Sequence, residues 1–346
     1  MARWLQRLFP HNKPIQALLQ RVRGKPQGPA WFGGEFSEPR ARGFLGRSLH
    51  RELSYRLFLP ARDEVTERLP LLLMLHGCTQ SALQFAEGTR MNALAAAAGF
   101  GVLYPEQRKR ANSLRCWNWF DPEVIAGEGE AALIIRVLDE VLAQRPLDSR
   151  QVYLCGFSAG AAMAAVLAAR FSGRFAACAL HSGLMYGAAD NPMQALKVMR
   201  SGSSADPTGL ARALAQALGS SLVPVPTLVL CGTRDEIVNP INSEQIVAQL
   251  CALDEQAGLA LSAGTESESH TARGTCRTRD YRCGERLLVR SMRIDALGHA
   301  WSGGDPRHAY FEAAGPEASQ IIVDFMLEAT RAPATPLQAQ PLLARK

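Results

Sequence analysis

No run of apolar residues in this 346-residue chain approaches the ~18 that a membrane span requires. A transmembrane helix is therefore excluded, and no stable membrane insertion is expected. Cysteine is sparse as well. Eight are scattered along the chain with no CxxC spacing, so neither a disulfide scaffold nor a metal site is indicated. A basic body is also missing: the whole chain stands at +6, but residues 1–51 hold ten Lys and Arg against Glu35 and Glu38. That segment carries +8 by itself and leaves the remainder near −2. Phosphate recognition needs positive charge gathered on a folded face, so a nucleic-acid partner is not expected. The opening "MARWLQRLFPHNKPIQALLQRV" has basic residues but no apolar core segment and no small-residue cleavage site, which does not resemble a secretory signal. The expectation is a cytoplasmic protein. Nothing in the pattern bears on oligomeric state.

What the chain does contain is an alternation of strand and helix signals. "RELSYRLFLP" alternates with period 2, whereas "LPLLLMLHG" is a continuous apolar run of the kind covered on both faces. A helix over 89–98 follows, then a strand at "FGVLYP", a helix over 129–144, a strand at "QVYLC", a helix over 159–170 and a strand at "FAACALHSG". Helices at "NPMQALKVMR" and "TGLARALAQALG" precede a strand at "PTLVLCG", a helix near 240–253, a strand at "LLVRSMRIDALG" and a closing helix from Pro316. This order describes an α/β fold, a mostly parallel doubly wound sheet. The chain divides into a basic tail over 1–42, helical or disordered, one α/β domain over 43–330, and a C-terminal tail over 331–346. Residues 254–285, rich in Ser, Thr, Gly and Arg, read as a polar insertion.

One stretch carries chemistry. In "VYLCGFSAGAAMAAVLAA" a strand runs into Gly-Phe-Ser-Ala-Gly and leaves at once as an alanine-rich helix. A G-x-S-x-G sequence between a strand and a helix is a nucleophile elbow: the turn strains the serine, and the glycines make room where side chains would clash. Ser158 is the expected nucleophile. The helix behind it aims free N–H groups and its positive end at the place where an oxyanion forms.

A serine hydroxyl needs a base, and the base needs an orienting carboxylate. Downstream of Ser158 lie His181, His270, His299 and His308. His299, in "DALGHAWSGG", follows the last strand on a Gly-flanked loop, which makes it the candidate base. Asp235, a few residues past the strand in "PTLVLCGTRDEIVNP", is the candidate acid; its neighbour Glu236 would point the other way. For the oxyanion, the backbone N–H of Ala159 is one donor. The other is that of Cys78, in the tight turn "HGCTQ" at the end of a buried strand. His76 precedes the nucleophile and is expected to hold that turn by hydrogen bonds. Cys155, Cys178 and Cys231, in apolar runs, read as inert core residues.

Taken in order, "LPLLLMLHGCTQSALQFAEGTRMNALA", "FGVLYPEQ", "RCWNWF", "GFSAGAAMAA", "HSGLMYGAA", "GTRDEIVNPIN" and "GHAWSGG" resemble the poly(3-hydroxybutyrate) depolymerase-family esterases of the α/β-hydrolase fold. The likeness runs from about Leu53 to Met326. It implies a serine esterase without a cofactor, its triad matching Ser158, Asp235 and His299. Thr233 departs from the family, standing where many relatives have a first aspartate, and Ala161 replaces a common third glycine. No polymer-binding domain is recognisable. Short-chain or 3-hydroxybutyrate-type esters or oligomers are therefore the expected substrates, with feruloyl or acetyl-xylan esters as the alternative. An acyltransferase, a serine peptidase and a non-catalytic ligand-binding relative are the competing classes.

Three tryptophans accompany the motifs. Trp301, two residues after His299, is expected at the substrate site. Trp117 and Trp119, two apart, fit a pocket wall or the core equally well, and the resemblance implies the pocket rim. His181 is either a satisfied structural histidine or a pocket residue. Cys116 and Cys78 meet above the sheet, as a reduced pair if the protein is cytoplasmic. Cys276 and Cys283, in the polar insertion, could pair.

Overall fold

The computed structural model describes residues 29–37, 52–61, 67–271 and 274–330. Among them eleven strands make one sheet. Its centre is parallel: β4 (Gly101–Glu106), β3 (Leu69–Leu75), β5 (Leu147–Phe157), β6 (Ala177–His181), β7 (Thr227–Gly232) and β11 (Arg286–Ile294) lie side by side in that order. Antiparallel strands extend both edges. On one side are β2 (Glu52–Leu59) and β1 (Ala30–Ser37). On the other, β10 (Gly274–Cys283) pairs with β11, and β8 (Ser262–Ala263) and β9 (Ser267–Thr271) both pair with β10. A separate two-stranded pair joins β12 (Trp301–Ser302) to β13 (Phe311–Glu312).

Strand β3 shows why the centre is parallel. Its alternating side chains serve two cores: Leu71, Leu73 and Leu75 pack with Ile134, Met163 and Leu167, while Leu72 and Met74 face Phe85, Met91 and Phe325. A strand buried on both faces can only be sandwiched between helical layers. Those layers are α1 (Ala82–Thr89), α2 (Met91–Ala98), α3 (Pro122–Ile125), α4 (Gly129–Gln144), α5 (Ala159–Arg170), α6 (Pro192–Ser201), α7 (Pro207–Leu218), α8 (Ile241–Gln256) and α9 (Ala318–Ala329). In α5 ten of twelve residues are buried. Only a helix built mainly of alanine can lie that close to the sheet.

Two regions differ from the sequence reading. Residues 30–37, assigned above to the tail, form β1, with Trp31 edge-on to Phe58 and Arg145 over the Phe32 ring. The rest of that tail, 1–28 and 38–42, and the tail over 331–346 lie outside the described residues. Residues 254–285 are not a loop-like insertion. They complete α8 and supply β8, β9 and β10, which widen the main sheet. Charge hid the strand: Asp280 on β10 is met by Arg290 from the neighbouring strand, and Glu328 of α9 by Arg282 and Arg290.

The helix expected over 89–98 is present as α2, and a helix that the sequence reading did not assign, α1, precedes it. Ser81 and Gln84 form a capping box at the start of α1, and Arg90, at φ 55°, turns the chain into α2. Gly88 inside α1 looks like a breaker. Its place is dictated by Phe311, whose ring sits 2.3 Å from where a β-carbon would be.

Candidate active site

Gly-Phe-Ser-Ala-Gly folds as a sharp corner at the top of β5. Ser158 takes φ 56° and ψ −122°, a conformation that costs a serine on the order of 1–3 kcal/mol and persists only when its surroundings impose it. The surroundings do so on both sides. A β-carbon on Gly156 would lie 2.2 Å from the Gly160 carbonyl oxygen, and one on Gly160 would lie 2.1 Å from that of Leu75. The Ser158 N–H donates to the His181 carbonyl, tying the corner to β6. Ala161 needs a gap too, and it faces Gly183, where a β-carbon would stand 2.7 Å from that of Ala161.

The loop after β11 brings His299 to this serine. Its Nε2 lies 2.9 Å from Ser158 Oγ and its Nδ1 lies 2.7 Å from Asp235 Oδ2. Asp235 stands on the loop after β7, where the N–H groups of Ile237 and Val238 donate to its other oxygen. Burial pushes this carboxyl up, but the hydrogen bond and charge of His299, together with those two N–H groups, outweigh it and leave the pKa below the usual aspartate value. Glu236 is exposed and turned away. The Thr233 hydroxyl accepts from the Ala296 N–H and braces the loop that delivers His299. His270 is far from this arrangement on exposed β9, and His308 pairs with Glu87.

Opposite the corner, the turn after β3 is clamped by the segment 107–119. His76 is fully buried, with Nδ1 donating to the Gly77 carbonyl and Nε2 accepting from the Gln107 N–H. Burial lowers its pKa to about 4, so it is a neutral brace. The Trp117 indole donates to the His76 carbonyl, the Thr79 N–H donates to Leu114, and Cys78 is joined to Cys116 by a disulfide. Glu130, from the start of α4, accepts from Gln107 and twice from Asn118, fixing the clamp itself. The backbone N–H groups of Cys78 and Ala159 donate to no acceptor among the described residues. They are free to meet a ligand oxygen.

Several expectations about the surroundings are corrected. Cys78 and Cys116 are bonded rather than reduced. Cys276 and Cys283 are both free; they lie on one strand, seven residues apart, a span of ~23 Å. The aromatic walls are not walls. Trp301 is fully buried with its indole donating to Ser319, and Trp117 is equally buried beneath the turn. Trp119, 3% exposed, packs edge-on against Phe120. His181 has no exposed surface; it stacks on Trp301, and burial lowers its pKa to about 3. All four are buried, and none presents an open wall to the site. The ring that does reach solvent beside His299 is Tyr310, which the sequence reading did not single out. A non-glycine residue at φ 68° on a loop leaves no periodic signal. Among the described residues, no helix is long and apolar enough to cross a membrane.

Residues 53–271 match the family model described as esterase PHB depolymerase. Poly(3-hydroxyalkanoate) depolymerase C of Paucimonas lemoignei is 34% identical over 182 residues, which is 52% of this chain and 44% of that protein. Feruloyl esterase B of Thermothelomyces thermophilus is 32% identical over 136 residues, 39% of this chain and 46% of that one. The chain thus spans less than half the length of these curated relatives. Among solved structures, an acetyl xylan esterase from Aspergillus awamori superposes with a TM-score of 0.62 at 17% identity, over 80% of this chain and 94% of that one. The shared fold is that of the α/β-hydrolases.

Proposed function

The chain belongs to the PHB depolymerase esterase family, and on that premise we propose that it is a serine carboxylic-ester hydrolase working through an acyl-enzyme. The observation that carries the reading is the unbroken line from Ser158 Oγ through His299 to Asp235, with contacts of 2.9 and 2.7 Å. In this reading Ser158 attacks the ester carbonyl as His299 Nε2 takes its proton. The N–H groups of Cys78 and Ala159 hold the oxyanion. The imidazolium then gives that proton to the departing alcohol, which leaves an ester on Ser158. Water repeats the sequence and frees the acid. Asp235 holds the tautomer with the proton on Nδ1 and stabilises the imidazolium without itself being protonated.

The expected substrates are short-chain or 3-hydroxybutyrate-type esters, consistent with an aliphatic depolymerase relative. Feruloyl and acetyl-xylan esters are the second reading, favoured by the carbohydrate-esterase relatives. The Cys78–Cys116 bond speaks for an oxidising compartment rather than the cytoplasm, where thiols stay reduced. A fluorophosphonate probe and p-nitrophenyl butyrate test the core of the proposal. Turnover with the label on Ser158, both lost in Ser158→Ala, is the expected result. Labelling of another residue, or turnover that survives in Ser158→Ala, would sink it.

A further inference from the structure

We propose that Tyr310 is the residue that receives the alcohol portion of the ester and selects for alcohols with flat apolar surface. The inference rests on the esterase reading above and adds a specificity determinant to it.

The rings around His299 divide sharply. Phe157 stacks on the imidazole at 5.0 Å, and His181 and Trp301 pack against Phe157 in turn. All three are buried. Tyr310 meets the same imidazole edge-on at 6.0 Å and is 38% exposed. It is the one ring of this group, among the described residues, that a substrate can touch. The departing alcohol must bring its oxygen to Nε2 of His299 to be protonated. Whatever is attached to that oxygen then lies beside the imidazole, where the open face of Tyr310 is the neighbouring surface.

The position is imposed. Tyr310 has φ 68°, an outlier for a bulky side chain, and such strain persists where the surroundings enforce it. Two bonds do so. The Trp301 N–H donates to the Tyr310 carbonyl, and the Gln80 amide donates to the carbonyl of Ala309. The first ties the Tyr310 backbone to the segment that carries His299. The second anchors it to the turn that carries the Cys78 N–H. The Tyr310 ring offers an alkyl or aryl alcohol a flat apolar partner with a polar rim, which suits a group entering from water.

The test compares kcat/KM for benzyl acetate and methyl acetate on the full-length protein, since both yield the same acetyl-enzyme. The wild type should prefer benzyl acetate. Tyr310→Gly, which accepts the positive φ, should reduce that preference about 10-fold by loss on the benzyl ester. Tyr310→Phe should keep the preference, because the ring remains. The ratio of methyl butyrate to methyl acetate should stay constant in both variants. Partial misfolding lowers all rates together and leaves the ratios intact; if Tyr310→Gly yields no soluble protein, Tyr310→Asn, which also tolerates this backbone, replaces it. An unchanged benzyl preference, or a change in the butyrate ratio instead, overturns the proposal. Either result with Ser158 still labelled by fluorophosphonate leaves the esterase reading standing, whereas no label and no turnover in the wild type removes both.

Discussion

The carbonyl oxygen of Leu75 fills the place where a β-carbon on Gly160 would have to be, 2.1 Å from it. Leu75 ends the strand that leads to the clamped turn, and Gly160 sits in the first turn of the helix behind Ser158. Their contact sets how closely the proposed oxyanion donors approach the proposed nucleophile. Gly160→Ala should therefore be far worse than a helix-interior Gly→Ala change, which normally stabilises by up to about 1 kcal/mol. Backbone cannot step aside as a side chain can. The expected outcome is a lowered thermal midpoint and lost ester turnover. Gly173→Ala, where nothing lies within 4 Å, is the control and should leave both near wild type.

The acid assignment predicts an unequal pair. Asp235→Asn keeps the size of the side chain but, bonded to Ile237, Val238 and His299, favours the wrong imidazole tautomer. A loss on the order of 10⁴ in kcat is expected with the fold retained. Glu236→Gln, at an exposed position, should change kcat less than about twofold. Stopped assays on both variants, alongside circular dichroism, decide the matter; the reverse order of severity would move the acid to Glu236.

The line of Ser158, Asp235 and His299 was readable because each residue sits next to an element with a strong local signal: an apolar strand, a glycine turn, an alanine helix. The parallel centre was readable for the same reason. What escaped depended on contacts between distant segments. Strand β1 has Gly33 and Gly34 in its middle and was read as part of the basic tail, yet Tyr55 packs its ring against Gly34, where a β-carbon would clash at 2.2 Å. Strand β10 is nearly all polar; Asp280 and Arg282 pair with each other within it, and both are also met from outside it, by Arg290 and Glu328, as Arg277 is by Asp295. Trp301 was expected to line the substrate site because it lies two residues after His299. The backbone turns between them, so that residues two apart serve opposite sides of the same wall. No pattern of residue types foretells that turn.

The disulfide predicts a redox dependence of rate rather than of fold. Reducing Cys78–Cys116 removes one of the ties on the turn, but Trp117–His76, Thr79–Leu114 and Gln107–His76 remain. Dithiothreitol, or Cys116→Ser, should lower kcat several-fold, less than the 10²–10³ or so that follows from deleting an oxyanion donor. KM and the far-ultraviolet spectrum should hardly change. Iodoacetamide after reduction should block recovery by reacting here. It should not reach Cys155 and Cys178, which are buried and whose thiol pKa values burial pushes up. Full activity in the reduced protein would mean that the hydrogen bonds hold the turn unaided.

The last prediction concerns Asp254, near the C-terminal end of α8, and the dependence of stability on pH. Its carboxyl borders an apolar cavity lined by Ala165, Leu180, Met185, Leu214 and Leu250. Burial raises its pKa to about 7, against the opposing pull of Arg286. In the unfolded chain the same group titrates near ~3.9. Below that value both states hold the proton, and Asp254 has no effect on folding. Between about 4 and 7 the unfolded chain has released a proton that the folded chain still holds, so this group makes the fold less stable as pH rises. Above 7 the folded carboxyl is ionised as well, and the full cost, on the order of a few kcal/mol, persists. The buried neutral imidazoles of His76 and His181 act in the opposite sense over nearly the same range. Their folded pKa values of about 4 and about 3 lie below the unfolded value, so they weaken the fold as pH falls from about 6.5. The wild-type curve therefore mixes two slopes, which one substitution separates. Asp254→Asn removes the carboxyl term alone. Urea unfolding of both proteins from pH 4 to 8 should show little difference at pH 4 and a growing advantage for Asp254→Asn up to about pH 7, constant thereafter. A difference between the two proteins that does not vary with pH would show that Asp254 keeps an ordinary pKa in the fold.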